Sequence, residues 1–394
     1  MELGRRRMAN TTDLGRWNAE AVLDCLYDRE SRTNAELAAA TGLSRSTVER
    51  ALDLLVDLGA ADRSEPVALA SGRPAVLYRL RPEFGYLLAI DVGANTVRAR
   101  VDDLAGPRPG LDAGPAEPES VPADPAHPAR VRLAAVARVT DQALAGAGIG
   151  RDQVRAVTVG TPGIVEADGT IVRSLVVRSD DWAGDGLRLW VGERFPAATV
   201  SIDNDANLAV LAEQRFGVAG SAEDVVVVLA GRRVGFGIIH GGRLHRGAHH
   251  QAGEAANIRD SRWGRASSWL YGRQAEAAEL FAAAQAGQQT AIDDVAEFVD
   301  LLGMAFAEIV HTIDPELIVL GGALSLAGPA IRDPLGKRFT RACHGMVEPE
   351  LRLSTLGRRA VLLGAAEHAR RQAFDHLLDD ARPQLPNATP RRRS

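Results

Sequence analysis

Cysteine, lysine and aromatic residues are all scarce in this chain, and each scarcity excludes something. Cys25 and Cys343 are the two cysteines, too far apart in the chain for a thiol metal motif or a disulfide framework. So few thiols fit a reducing cytosol. Cys25 falls within an apolar helical pattern, which predicts a buried core thiol. No run approaches the ~18 uninterrupted apolar residues of a membrane-spanning helix, so no membrane span is expected. Arg5, Arg6 and Arg7 are followed by no apolar stretch, so no secretory signal is expected either, and the chain reads as cytoplasmic. Lys337 is the single lysine among 46 basic residues, a bias of the kind a GC-rich genome produces. Arginine abundance therefore argues little about partners. A net charge of -5 excludes a chain that coats nucleic acid over its whole surface, but leaves room for one local DNA-binding face.

What is present suits a globular protein. The chain has 394 residues, 46% hydrophobic and 25% charged, enough for two or three domains with a sizeable core. Residues 16–27 space Trp17, Val22, Leu23 and Leu26 as a helix. Asn34 is placed to cap a short helix over 35–41, with Glu36 in its first turn and Gly42 after its end. Ser44 caps a second helix over 45–58, with Val48, Leu52 and Leu55 on one face and Gly59 closing it. Residues 60–80 read as two short strands around a loop that holds Gly72, Arg73 and Pro74. This succession is the order of a winged helix-turn-helix.

Such a motif lays the first turns of its second helix in the major groove. The surface expected there is Ser44, Arg45, Ser46, Thr47 and Arg50, with arginines for guanine edges or phosphates and hydroxyls for phosphates or bases. Arg73, stiffened by Gly72 and Pro74, suits a wing tip that reaches the minor groove. Residues 1–80 carry 11 arginines against 12 acidic residues, so a DNA face would rest on placement, not on regional charge. Winged helices also serve as protein-interaction modules, and that alternative stays open at this point.

From Tyr86 onward the pattern changes. Strands are predicted at 86–93, 97–101, 154–159, 199–202, 225–229, 237–240 and 317–320. Helices are predicted at 133–145, 207–216, 269–284, 291–313 and 360–377. Strands alternating with helices predict an α/β architecture. Residues 106–128 read as a solvated linker and those beyond 382 as a disordered tail. The expected division is a winged helix-turn-helix over 1–82, an α/β sensor and dimerisation domain over 83–378, and a tail over 379–394.

Four segments of the α/β part carry chemistry. A strand ending in Asp91-Val92-Gly93 lets the backbone approach a phosphate while the carboxylate positions a metal–nucleotide. Gly160-Thr161-Pro162-Gly163 is a rigid turn suited to lining a cleft, or a plain loop. In Asp203-Asn204-Asp205-Ala206-Asn207, between a strand and a helix, an aspartate can take a proton from a sugar hydroxyl while an asparagine holds another. The competing reading is helix capping. Repeated glycines from Gly231 to Gly247 precede Ala252-Gly253-Glu254, where Glu254 would accept sugar hydroxyls.

Together with Gly72-Arg73-Pro74 and the run Asp314-Pro315-Glu316-Leu317-Ile318-Val319-Leu320-Gly321-Gly322, these motifs resemble the ROK family (repressors, open reading frames and kinases) over nearly the whole chain. The resemblance implies a two-lobed, actin-like ribonuclease-H-type sugar-kinase fold. It implies a DNA-binding, sugar-responsive repressor acting on double-stranded operator DNA as a homodimer or dimer of dimers. By resemblance, Asp205 matches a catalytic base, and Asn204 and Glu254 match sugar ligands. Asp91, Gly93, Gly231, Arg232, Gly321 and Gly322 match the nucleotide side.

The departures from the family matter as much. Gly231-Arg232-Arg233 stands where kinases carry Gly-Thr-Gly, and Asn95 where threonine is usual. The bulk of Arg232 and Arg233 predicts a nucleotide site too degenerate for phosphoryl transfer, so no catalytic residue is expected. Asn257 stands at the family's zinc-ligand histidine and is counted here with the effector site. Residues 258–271 lack the family's cysteine cluster, so no zinc and no other cofactor is expected, and Trp263 to Trp269 are expected to replace the metal by apolar packing. Leu270 and the pair Leu175-Val176 occupy positions of further sugar ligands. A sugar or sugar phosphate remains the expected effector; the alternatives are a ligand-independent regulator and an ATP-dependent hexose kinase with an appended DNA-binding domain.

Overall fold

The computed structural model describes residues 11–67, 74–106, 119–231, 233–273, 277–326, 328–343 and 349–380. The chain opens with α1 (Thr11–Leu26), β1 (Arg32–Thr33), α2 (Asn34–Thr41) and α3 (Arg45–Asp57), followed by β2 (Ala61–Arg63) and β3 (Leu77–Leu80). The apolar stripes meet as their spacing requires: Val22, Leu23, Leu26, Leu37, Val48, Leu52 and Leu55 are all buried. Cys25 lies beside that stripe and is half-buried, not in the core as expected, whereas Cys343 is buried. The cap of α2 is Thr33 and not Asn34. Thr33 and Glu36 form a capping box, and Asn34 instead donates through Nδ2 to the Arg45 carbonyl at 3.1 Å, tying the starts of α2 and α3 together. Gly42 takes the left-handed conformation between the helices, φ 70°. Ser44 caps α3 as read from the sequence. β1, β3 and β2 form a small antiparallel sheet, the base of the wing.

Two similar halves follow. In the first, β4 (Tyr86–Val92), β5 (Thr96–Asp103) and β6 (Glu119–Pro122) run antiparallel. After α4 (Ala129–Ala147) comes β7 (Val154–Thr161), then the hairpin β8 (Ile164–Val165) and β9 (Ile171–Arg173). α5 (Gly186–Arg194), β10 (Thr199–Asn204) and α6 (Asp205–Phe216) complete the half. The sheet order is β10-β7-β4-β5-β6, with β10, β7 and β4 parallel. The second half has β11 (Val225–Ala230), β12 (Val234–His240) and β13 (Arg243–Leu244). Then come α7 (Arg262–Gly272), α8 (Ala277–Gln285) and α9 (Gln289–Ile313), followed by β14 (Leu317–Gly322), α10 (Ala323–Leu326), α11 (Pro329–Cys343), β15 (Glu350–Leu353) and α12 (Ala360–Asp380). Its order, β13-β12-β11-β14-β15, repeats the first: three antiparallel strands, then two parallel additions. The single helix predicted over 269–284 is two helices, since Gly272 ends α7.

α6 and α12 pack between the two sheets. Their small residues, Ala209, Ala212, Ala365 and Ala366, are buried there with Ala89 from one sheet and Val227 and Val319 from the other. The helices touch closely: a Cβ on Gly364 would lie 1.7 Å from the Leu208 carbonyl oxygen, so only glycine fits. The outer faces bury separate cores, one under α4 and α5, the other among α7, α8, α9 and α11. α12 also runs on to the N-terminal bundle. Its residues Ala369, Ala373, Phe374 and Leu378 share one apolar core with Val22, Leu26, Tyr27 and Leu37. No helix among the described residues is long and apolar enough to cross a membrane.

Candidate DNA-binding face and interlobe cleft

Ser44, Arg45, Ser46 and Arg50 are exposed on the first turns of α3, and Thr47 is half-buried. The Ser44 hydroxyl is committed locally. It accepts from the Thr47 amide at 3.2 Å and pairs with the hydroxyls of Ser46 and Thr47 at 3.0 and 2.8 Å. Arg50 donates through Nε to the Ser46 carbonyl at 3.2 Å, which lays its guanidinium along the helix face. Pro74 is exposed where the wing leaves the sheet, beside the Val67–Ala75 bridge. Gly72 and Arg73 lie outside the described residues.

A cleft of about 440 Å³ opens between the halves. It gathers Asp91, Gly93, Asn204, Asp205, Gly231, Glu254, Asn257 and Gly322 from the positions singled out above. The Asp203-to-Asn207 motif divides its work, so capping and site duties coexist. Asn204 caps α6, its Oδ1 accepting from the amides of Ala206 and Asn207 at 2.8 and 3.2 Å. Its Nδ2 donates across the cleft to the Gly163 carbonyl at 2.8 Å and to Glu254 Oε1 at 3.3 Å. Asp203 points the other way, accepting from Asn207 Nδ2 at 3.0 Å and pairing with Arg246. Asn257 donates to Glu254 Oε2 at 2.7 Å, so both Glu254 oxygens are held.

Asp205 faces the cleft. Desolvation, with the negative charges of Asp91 and Glu254 adding to it, pushes its carboxyl up to about 7. Burial likewise raises Glu254, opposed by the Asn257 hydrogen bond. Asp205 and Glu254 therefore stand together in the cleft, poised to bond hydroxyl groups as donor and acceptor. Leu175, Val176, Phe236 and Leu270 form apolar walls, so the positions where the family has further sugar ligands offer no polar atom.

The nucleotide side is built differently. Gly322 closes β14 at φ 63°, where a Cβ would meet the Ala230 carbonyl oxygen at 2.2 Å, so glycine is required; Gly321 precedes it in the same strand. At Gly231, by contrast, an added Cβ meets nothing within 4 Å. Arg233 lines the cleft with its guanidinium 4.7 Å over the Tyr271 ring. Arg232 lies outside the described residues. Asp91 is buried, and its carboxylate is taken: Arg98 Nη2 donates to Oδ2 at 2.5 Å, while Arg98 Nη1 donates to the Arg358 carbonyl at 2.7 Å. A carboxylate so paired does not fit a magnesium–nucleotide. Nor does the donor set over 258–271 fit tetrahedral zinc. Trp263 packs there against Phe236 and Phe306, and Trp269 stacks on Phe298 at 4.8 Å. Among the described residues, no group of three His, Cys, Asp or Glu side chains is arranged to hold a metal ion.

Two arginines escaped the sequence reading. Arg98 was one polar position in an alternating strand, indistinguishable from a solvated side chain. The signal lay in the hairpin turn, whose register sets Arg98 opposite Asp91. Arg132 stands just before the helix predicted over 133–145, and the helix in fact begins at Ala129. Arg132 is fully buried, donates to the carbonyls of Gly93, Ala94 and Asp124 at 3.0, 2.9 and 2.9 Å, and lies 5.8 Å from the Trp182 ring, fixing the turn after Asp91. No local pattern marks such a role.

Comparison with known proteins places this geometry. Residues 18–65 match the IclR helix-turn-helix domain. The chain is 22% identical to the xylose repressor of Caldicellulosiruptor bescii, over 91% of this chain and 96% of that one. It is 26% identical to the glucokinase of Streptomyces coelicolor, over 73% of this chain and 98% of the enzyme. Among solved structures, a ROK family glucokinase from Streptomyces griseus in complex with glucose and AMPPNP superposes with TM-score 0.60 at 25% identity, covering 73% of this chain and 100% of that one. A ROK family transcriptional regulator, a homolog of the E. coli MLC protein, superposes with TM-score 0.69 at 17% identity, over 94% of this chain and 99% of that one. Residues 134–259 and 256–372 match the ROK family, and with the cleft, the duplicated sheets and the reading head all in place, the chain belongs to it.

Proposed function

We propose that this chain is a sugar-sensing transcriptional repressor that binds operator DNA through α3 and does not phosphorylate what it senses. The full-length relatives named repressors support the first half of that reading, and the Asp91–Arg98 pair supports the second. One observation carries the sensing mechanism: α12 joins the cleft to the reading head. Arg358 and Val361, at its start, line the cleft. Further along, Arg370 bonds Asp24 of α1 at 2.7 Å and lies 4.7 Å over the Tyr27 ring, while Phe374 meets that ring edge-on. Arg16 of α1 reaches Asp375 and Asp379 near its end. A ligand that draws the halves together on Asn204, Asp205, Glu254 and Asn257 shifts α12 and re-aims α3. The effector class is a sugar or sugar derivative, and the protein needs no cofactor, with aromatic packing in place of structural zinc. It acts as a homodimer, because two reading heads match a two-fold operator.

An electrophoretic shift on the protein's own upstream region tests this reading, with sugars titrated into the complex. The expected result is a sequence-specific shift that one sugar class releases. Absence of any sequence-specific shift at palindromic candidates overturns DNA binding. Turnover in a coupled ADP-release assay across hexoses, abolished by Asp205→Asn, overturns the non-catalytic half.

A further inference from the structure

We infer that Arg98 is a built-in cation that occupies the position of a metal–nucleotide at Asp91, so that charge closes this half of the cleft to metal-bound triphosphates. The inference rests on the non-phosphorylating half of that reading and is independent of DNA binding and of the effector's identity, since it concerns one ion pair, and nucleotide binding tests it separately from turnover.

Three observations support it. First, β4 and β5 pair in a register that sets Asp91 opposite Arg98, so the contact is written into the hairpin and not made by a wandering surface side chain. Second, both ends of the guanidinium are used: Nη2 on the Asp91 carboxylate at 2.5 Å, Nη1 on the Arg358 carbonyl at 2.7 Å. The pair is largely out of solvent, with side-chain exposures of 18% for Arg98 and 4% for Asp91. A charge-assisted bond in that setting is strong and weakly screened. Third, the turn that follows Asp91 cannot easily swing away, because Arg132 holds the carbonyls of Gly93 and Ala94.

A divalent cation at this wall requires anionic oxygen ligands and carries two positive charges. Here its carboxylate is already neutralised, and the incoming ion meets a fixed guanidinium. The other acidic groups of the cleft do not make up the loss: Glu254 is tied to Asn204 and Asn257, and Asp205 accepts from the Ala206 amide while burial favours its protonated form.

The test uses the full chain, with manganese as a spectroscopic stand-in for magnesium and ATP as the nucleotide. Calorimetry of ATP with and without magnesium, and electron paramagnetic resonance of manganese with ATP, are run on the parent, Arg98→Ala, Arg98→Gln and the double variant Asp91→Asn/Arg98→Ala. The parent is expected to show no metal-dependent nucleotide binding. Arg98→Ala is expected to gain magnesium-dependent ATP binding at least tenfold tighter than the parent, and the added Asp91→Asn to abolish that gain. Arg98→Gln keeps a polar amide donor beside Asp91 while losing the charge, so it carries the test if Arg98→Ala does not fold. The parent binding magnesium–ATP with an affinity that Asp91→Asn weakens tenfold would overturn the inference. So would a folded Arg98→Ala or Arg98→Gln, melting as the parent does, that gains no metal-dependent binding.

Discussion

Asp205 shows how one side chain can be read from sequence as to position but not as to state. Its motif announced it, yet it is burial in the closed fold, with Asp91 and Glu254 brought up beside it, that lifts its carboxyl from 3.8 to about 7. The sign of the consequence follows from linkage. A carboxyl raised on folding stabilises fully below its unfolded value, near pH 4, and that contribution is lost as pH rises through about 7. Asp205→Asn removes the loss. Thermal melting from pH 5 to pH 8 should therefore show the parent losing about 1–2 kcal/mol more than the variant, a figure reduced for the openness of the cleft. Gly322 makes a second case. Gly322→Ala forces a Cβ against the Ala230 carbonyl at a left-handed φ, and denaturant unfolding should report a cost of about 2 kcal/mol or more. The run ending in Gly321-Gly322 was legible because it follows an apolar strand. Arg98 and Arg132 were not, because a buried arginine is identified by carbonyls and carboxylates that other elements deliver.

Elements were legible where local chemistry decides them. α3 began and ended where Ser44 and Gly59 indicated, and the central strands of both sheets fell on their apolar runs, whereas β6 forms inside the stretch 106–128 read as a linker, where it pairs with β5 as an edge strand. Ser44→Ala should destabilise the reading head by about 1 kcal/mol, measured by urea unfolding, because the Thr47 amide loses its side-chain acceptor and keeps only the Ser44 carbonyl. α2 was capped one residue earlier than read, since Thr33 and Glu36 satisfy each other while Asn34 serves a neighbouring helix. α11 and β15 were missed. Pro334 lies inside α11, and β15 alternates half-buried and exposed positions without a strong apolar run. α12 was found as a helix, but not as a bridge. Glu367 on it is fully buried and, despite the cost of desolvation, held down to about 2 by Arg370 and Arg371. A carboxylate depressed on folding stabilises above its unfolded value of 4.5, and that contribution is lost as pH falls from there toward 2. Acid titration followed by circular dichroism should show a stability slope between those values that Glu367→Gln removes. The same variant should be destabilised at pH 7 by about 3 kcal/mol, because buried Arg370 loses its buried partner and keeps only the half-exposed Asp24 as counter-charge.

At the scale of the molecule, the order of elements was sufficient to expect a reading head followed by two α/β halves. What no periodicity could show is that the two share a core, since Tyr27 and Phe374 are far apart in the chain and meet only when it closes. The whole molecule is acidic overall, so DNA affinity must come from a few exposed arginines on one face. Binding should therefore weaken steeply with salt, and Arg45→Ala should lower operator affinity by about 1–3 kcal/mol in fluorescence anisotropy while leaving the melting temperature unchanged.

The common core of α1 and α12 makes the far end of the chain part of the DNA reader. Severing the last turns of α12 would strip the cover from Tyr27 and Leu26, so a cut hundreds of residues downstream would unseat the helices that meet the operator. By the same logic, a reading head transplanted onto another sensor would have to bring its own stretch of α12 with it, as a mortise is moved with its tenon.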